Sequence, residues 1–274
     1  MRKILPYRDT LGSRSALRAM KVFFTASLLL VVASAPILSG EGDEVAAEGY
    51  LYEGDMRMFN NELKDAEDIY EFVLKTNPRS YEALWRLSRF YVSRGMAEEA
   101  NNKKKDAWRN AQRYAENAVE INPTGAQGHL YLATALAKLS LISSAGEKVK
   151  HVWKIKEELE TAIELDPSEH RSYMVLGAWH RNVAVASPLE KQLAKMFFKE
   201  LPEASLEESL KLLIKAVELG GTEVRNHYEL ALTYEALGQK TNADQEYKKI
   251  LDAPASFPED AKIKEEISDR FGIL

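Results

Sequence analysis

The stretch that decides the fold is Leu159–Trp179, LETAIELDPSEHRSYMVLGAW. It reads as the end of one amphipathic helix, a rigid Leu165-Asp166-Pro167 turn, and a second helix with a small residue, Gly177, near its middle. Counting back from Pro167 by 5, 8 and 12 gives Ala162, Leu159 and Ile155, which share one helix face. The same punctuation recurs on both sides. Thr76-Asn77-Pro78 follows Ala66, Tyr70 and Val73, and Ile121-Asn122-Pro123 follows Ala111, Ala115 and Ala118. At the fourth boundary Gly220-Gly221 replaces the proline, after Ser209, Leu213 and Ala216. Proline is excluded from a helix interior but serves just past its end, so each turn closes one unit.

The first helix of each unit carries its own mark. Gly54, Ser88, Ala133, Gly177 and Ala231 sit mid-helix, and Leu87, Leu132, Leu176 and Leu230 precede four of them. A small side chain there lets the partner helix approach closely. Tyr50, Leu84, His129, Tyr173 and His227 stand one turn earlier, placed to pack over each pair. The pattern resembles the tetratricopeptide repeat, a helix-turn-helix unit of 34 residues, and 34 residues separate Gly221 from Ala255. The other spacings are longer: 45 from Pro78 to Pro123, 44 from Pro123 to Pro167, and 54 from Pro167 to Gly221. The second and third units should therefore have longer helices or longer loops. In the fourth, Leu189, Leu193, Met196 and Phe197 predict an inserted amphipathic helix at about 188–201. The expected fold class is all-α: a tetratricopeptide-like helix-turn-helix repeat solenoid of about five helix pairs. A capping helix from about Pro258 to Phe271 should close it, with Ile263 and Ile267 on one face.

From Ile155 to Asp260 the chain resembles the regulator of microtubule dynamics family, and more weakly so back to about Gly49. The residues that carry the resemblance are the Asp166-Pro167 turn, Leu176-Gly177-Ala178-Trp179, the lysine-rich amphipathic insert that ends near a proline, and Glu207-Glu208-Ser209-Leu210. The resemblance implies a helical repeat protein. Some members associate with microtubules or tether membranes, and many relatives are bacterial.

The amino terminus points to an exported bacterial relative. Val22 to Leu38 is a run without charge, preceded by Arg2, Lys3, Arg8, Arg14, Arg18 and Lys21. Residues 1–40 read either as a signal peptide, with Met20 a candidate true start, or as a membrane anchor formed by residues 22–38. The first reading places the protein in the periplasm or another extracytoplasmic space, and the second keeps it on a membrane. The chain has no cysteine, so it forms no disulfide and carries no cysteine-linked lipid. Residues 41–274 are expected to form one repeat domain. The first forty residues hold six basic and one acidic residue. That leaves 31 basic against 41 acidic in the remainder, a net charge near −10. Such a surface argues against nucleic acid as a partner and against a polybasic grip on a membrane, leaving only the N-terminal segment for membrane contact.

No catalytic, cofactor or metal motif appears. The histidines lack HExxH spacing, and His129 and His227 occupy equivalent repeat positions, which points to packing. Adjacent glutamates such as Glu157-Glu158 diverge around a helix and do not form an acid/base pair. The expected function is therefore a non-enzymatic scaffold that binds a protein or peptide, including one with acidic segments, through the concave groove of the first helices. Helix phase places Trp85, Arg89, Lys138, Arg171, Arg181, Asn182, Arg225 and Tyr228 in or near that groove. Guanidinium groups there either clamp carboxylates of the partner or pair with glutamates on adjacent helices. The inserted helix, with Met196, Phe197 and Phe198 among Lys191, Lys195 and Lys199, either packs over the groove or contacts a membrane surface or partner. Two alternative functions remain beside the scaffold reading: a membrane-anchored adaptor at microtubules, given a eukaryotic source, and a periplasmic transport accessory that binds a small carboxylate.

Overall fold

The computed structural model describes residues 41–198, 202–255, 257 and 259–273, the side chains of 41–45, 197 and 198 apart. The signal peptide or anchor expected at 1–40 and the side chains of Phe197, Phe198 and Lys199 thus lie outside the described residues. Residues 44–274 form one compact unit; of residues 1–43, only the start of the first helix is described.

Among the described residues there are helices and no strands. Five first helices, α1 (Glu41–Phe59), α3 (Tyr81–Ala97), α5 (Ala126–Leu141), α7 (His170–Ala184) and α10 (Val224–Ala236), alternate with five second helices. These are α2 (Leu63–Thr76), α4 (Asn101–Ile121), α6 (Ala145–Leu165), α9 (Leu206–Gly220) and α11 (Lys240–Asp252). Between α7 and α9 runs α8 (Pro188–Phe198), and α12 (Asp260–Phe271) caps the end. The chain folds as the helical repeat solenoid its periodicity predicts. The long second and third units come from helices: α4 and α6 are each 21 residues long.

The turns show why the units repeat. Asn77, Asn122 and Asp166 each follow a second helix in an extended conformation, as a residue before proline must. Each side-chain oxygen then accepts the backbone N–H two residues on: Arg79 at 3.1 Å, Thr124 at 3.2 Å and Ser168 at 3.0 Å. The local hydrogen bond fixes the same bend three times. The second helices run on to Thr76, Ile121 and Leu165, directly against these turns.

The periodic positions form the core. Ala66, Tyr70, Ala111, Ala115, Ala118, Leu159, Ala162, Ser209, Leu213 and Ala216 are fully buried, and so are Ser88, Ala133 and Ala231 opposite them. At Gly177 an added Cβ would lie 2.6 Å from the Leu213 side chain and 3.2 Å from the Ser209 carbonyl oxygen. Only glycine lets α7 and α9 meet this closely, and the Ser209 hydroxyl donates to the Gly177 carbonyl at 2.7 Å across the contact. Ile267 of α12 is buried, and Ile263 half-buried. Among the described residues no helix is long and apolar enough to cross a membrane.

Candidate functional site

Two of the three longer units meet around a cavity of about 680 Å³. The C-terminal half of α5, most of α7 and one face of α10 form its walls, with Met96 at the end of α3 and Ile263 of α12 across from them. Val149, Val152 and Ile155 of α6 supply an apolar floor. The polar groups converge from the first helices: Lys138 from α5, Arg181 and Asn182 from α7, Arg225, Tyr228 and Glu229 from α10.

Of the residues expected in the groove, Lys138, Arg181, Asn182, Arg225 and Tyr228 line this cavity. Trp85, Arg89 and Arg171 do not, each for a local reason. Trp85 is buried, stacked on Tyr131 with ring centroids 5.8 Å apart, and its indole N–H donates to Glu82 at 2.9 Å. Arg89 is drawn to Asp55 and donates to the Tyr70 hydroxyl at 3.1 Å. Arg171 donates to Glu223 at 2.7 Å and lies 5.1 Å from the Phe257 ring.

The arginines that do line the cavity also hold internal acids. Arg181 donates to the Glu229 carboxylate at 2.6 Å and to its backbone carbonyl at 2.9 Å. Arg225 pairs with Glu259, sits 3.9 Å from Asp260, and reaches the Met96 sulfur at 3.2 Å. Burial holds the Arg225 pKa below its ordinary value against the pull of Asp260 and Glu223. Glu259 also accepts from the Ser93 hydroxyl at 3.4 Å, which ties the end of α3 to the cap from 166 residues away. Tyr228 donates to Glu266 at 3.2 Å, and burial, then Glu266, pushes its hydroxyl up to about 12. At the other rim Lys148 pairs with Glu190 of α8 at 3.2 Å.

Lys138 differs from all of these. It is half-buried and forms no ion pair or hydrogen bond among the described residues. Burial first, and the neighbouring Arg225 second, push its ammonium down to about 8 in spite of Glu229. Sequence phase found Lys138 but gave no sign that it alone would stay unpaired. The floor from α6 and the contribution of Met96 were missed, because both depend on how the units are rotated against one another.

The histidines serve packing, as their equivalent positions suggest. His129 donates from Nδ1 to Glu158 at 2.5 Å and from Nε2 to the Pro123 carbonyl at 2.8 Å. With acceptors beside both ring nitrogens, the protonated imidazole is the form that satisfies both contacts at once. Its pKa is raised, first by the Glu158 hydrogen bond, against the cost of burial. His227, at the equivalent position, hydrogen-bonds Glu246 through Nδ1 at 2.6 Å. Among the described residues no group of three His, Cys, Asp or Glu side chains is arranged to hold a metal ion.

Comparison with known proteins agrees with the fold. Residues 51–271 match the sequence family described as Regulator of microtubule dynamics protein 1-3. The bovine Regulator of microtubule dynamics protein 1 is 29% identical over 244 residues, covering 87% of this chain and 73% of that protein. The rat Regulator of microtubule dynamics protein 3 is 27% identical over 192 residues, covering 70% of this chain. The chain spans only 41% of the rat protein's length. Among solved structures, a thermophilic tetratricopeptide protein of Thermus thermophilus superposes with a TM-score of 0.58. It is 19% identical, and the match covers 83% of this chain and all of that one.

Proposed function

The chain belongs to the regulator of microtubule dynamics family, and from that premise we propose that it is a non-enzymatic repeat scaffold that binds a protein or peptide in the cavity between its first helices. The observation that carries this reading is the cavity itself, about 680 Å³ with an apolar floor and polar groups gathered on its walls. Ligand sites are concave, mostly apolar, and oriented by a few polar groups, and this volume lies within their usual range. The neighbouring helices already satisfy most of the charges, so the floor supplies contact area and the remaining polar groups supply orientation.

A displayed random-peptide library tests the reading. The wild type should enrich a family of sequences, and Ala178→Trp, which fills the cavity from α7, should abolish the enrichment. Equal enrichment by both proteins places binding elsewhere and overturns the reading. The names of the relatives favour a second reading, an adaptor at microtubules. Against it stands the net charge near −10 of residues 41–274, which disfavours an acidic partner surface. Co-sedimentation with assembled tubulin at low salt decides that question. For residues 1–40 we propose export or anchoring, distinguished by the mass of the mature amino terminus.

A further inference from the structure

Charge pairing around the cavity is nearly complete, and its one gap is informative. Arg181 is matched by Glu229, Arg225 by Glu259, and Lys148 by Glu190. Beyond the walls Arg171 is matched by Glu223 and Arg89 by Asp55. Lys138 alone among these cations has no such partner within the described residues. It stands on the cavity wall one residue from Ala137, with Ala178 and Ile263 among the other apolar linings. An ammonium that lines an apolar cavity and is paired with no carboxylate keeps its charge available to a ligand.

We propose that Lys138 anchors a single carboxylate carried on an apolar body, and that the partner of the cavity presents one such group and not an acidic run. The proposal rests on the cavity being the binding site and adds the chemistry of what enters it. The apolar floor of Val149, Val152 and Ile155 receives the body of the ligand. Asn182, exposed on the α7 wall, offers an amide N–H to the second carboxylate oxygen or to a backbone carbonyl. Among the described residues that line the cavity, a second carboxylate finds no other unpaired cation. It meets Glu229 and Glu190, whose charges already neutralise Arg181 and Lys148, so an acidic run is repelled where a lone carboxylate is held. Both a peptide chain end with apolar final residues and a free organic acid such as 4-phenylbutyrate carry this chemistry.

The lysine gives the site a pH signature. With the ammonium at about 8, close to half of Lys138 is neutral at pH 8, so a carboxylate that requires the charged form must draw a proton from the buffer. Affinity is therefore flat below about pH 7 and falls as pH rises past 8, by up to about tenfold per unit until the pKa of the complex is reached.

Isothermal titration of the full chain tests the proposal with four ligands: 4-phenylbutyrate, an Ala-Leu-Ala-Val-Leu peptide with a free carboxyl end, the same peptide amidated, and an amidated pentaglutamate. At pH 7 at least one of the first two should bind, and amidation should cost about tenfold or more. Pentaglutamate should bind more weakly than whichever of the two binds. Lys138→Met should lose about tenfold, and Lys138→Arg should retain affinity and hold it to pH 9.5. The Arg variant also guards against misreading a folding defect in the Met variant. Binding of the free-carboxyl ligands that Lys138→Met leaves unchanged overturns the proposal, as does tighter binding of pentaglutamate. Peptide binding that Ala178→Trp abolishes but Lys138→Met leaves alone refutes the lysine anchor and preserves the groove. Lys138-dependent binding of 4-phenylbutyrate with no peptide binding supports the anchor and refutes the peptide reading. No binding of any ligand overturns both.

Discussion

Gly177→Ala perturbs the contact on which the stacking argument rests. The new Cβ would lie 2.6 Å from Leu213 Cγ, 3.1 Å from its Cδ2 and 3.2 Å from the Ser209 carbonyl oxygen. Ordinary carbon contacts begin well beyond 3 Å. The leucine can turn aside, but the carbonyl belongs to α9 and moves only with that helix. Overpacking of this kind costs about 1–3 kcal/mol. Separating the helices also stretches the 2.7 Å bond from the Ser209 hydroxyl to the Gly177 carbonyl, a loss of about 1 kcal/mol. Against these stands the helix propensity gained by replacing glycine, about 1 kcal/mol. The net expectation is a destabilisation of about 1–3 kcal/mol, which lowers Tm by about 2–10 °C for a domain of this size. Gly146→Ala is the control. It lies in the first turn of α6 with nothing within 4 Å of its Cβ, so only the propensity gain remains and stability should rise slightly. Thermal and guanidinium unfolding of both variants read the difference. In combination with Leu213→Ala, which opens the space, the effect of Gly177→Ala should shrink or reverse. If Gly177→Ala is as stable as Gly146→Ala, the helices are not keyed by the small residue and the packing argument fails.

Three further outcomes follow from the same contacts. His129 has a raised pKa, so the stability it contributes is fully present below its unfolded value of about 6.5 and disappears as pH rises through its folded value. Glu158 has a lowered pKa: burial alone would raise it, but the hydrogen bonds from His129 and Lys154 outweigh burial, so its contribution disappears as pH falls. Urea unfolding of the wild type and of His129→Gln across pH 4–9 should show that the histidine confers its advantage on the acid side of neutrality and loses it toward pH 9. A mutant that tracks the wild type throughout contradicts this. Glu259→Ala leaves the largely buried Arg225 without its main partner, although Asp260 stays nearby, and should cost about 3 kcal/mol or more in chemical denaturation. Arg225→Met combined with Glu259→Met should recover much of that loss, and failure to recover would mean that the pair adds more than mutual compensation. Leu159→Ala, at a position with no exposed surface, should cost about 2–5 kcal/mol in the same assay. A loss below about 1 kcal/mol would show that this face is not core.

The parts of the fold legible in the sequence are those set by neighbours along the chain. Asn77-Pro78, Asn122-Pro123 and Asp166-Pro167 each close their own hydrogen bond two residues on, so the turn is written locally. The small residues Gly54, Ser88, Ala133, Gly177 and Ala231 recur at one phase because each repeat solves the same packing problem. The site was legible only in part. Lys138, Arg181, Asn182, Arg225 and Tyr228 follow from helix phase. What the arginines touch does not, because Glu229 lies 48 residues from Arg181 and Met96 lies 129 from Arg225. Those pairings depend on the rotation of one unit against the next, which accumulates from the long α4 and α6 and the inserted α8. Arg89 pairs with Asp55 on the helix of the preceding unit, a contact that helix phase within one unit does not show.

Hydrogen exchange of the full chain, with and without a peptide selected from the library, tests the central claim most directly. Binding in the cavity should slow exchange in the C-terminal half of α5, in α7 around Ala178–Asn182 and in α10 around Arg225–Glu229, and leave α2, α4 and α11 unchanged. Protection confined to those second helices, with the cavity walls exchanging as before, would contradict the account.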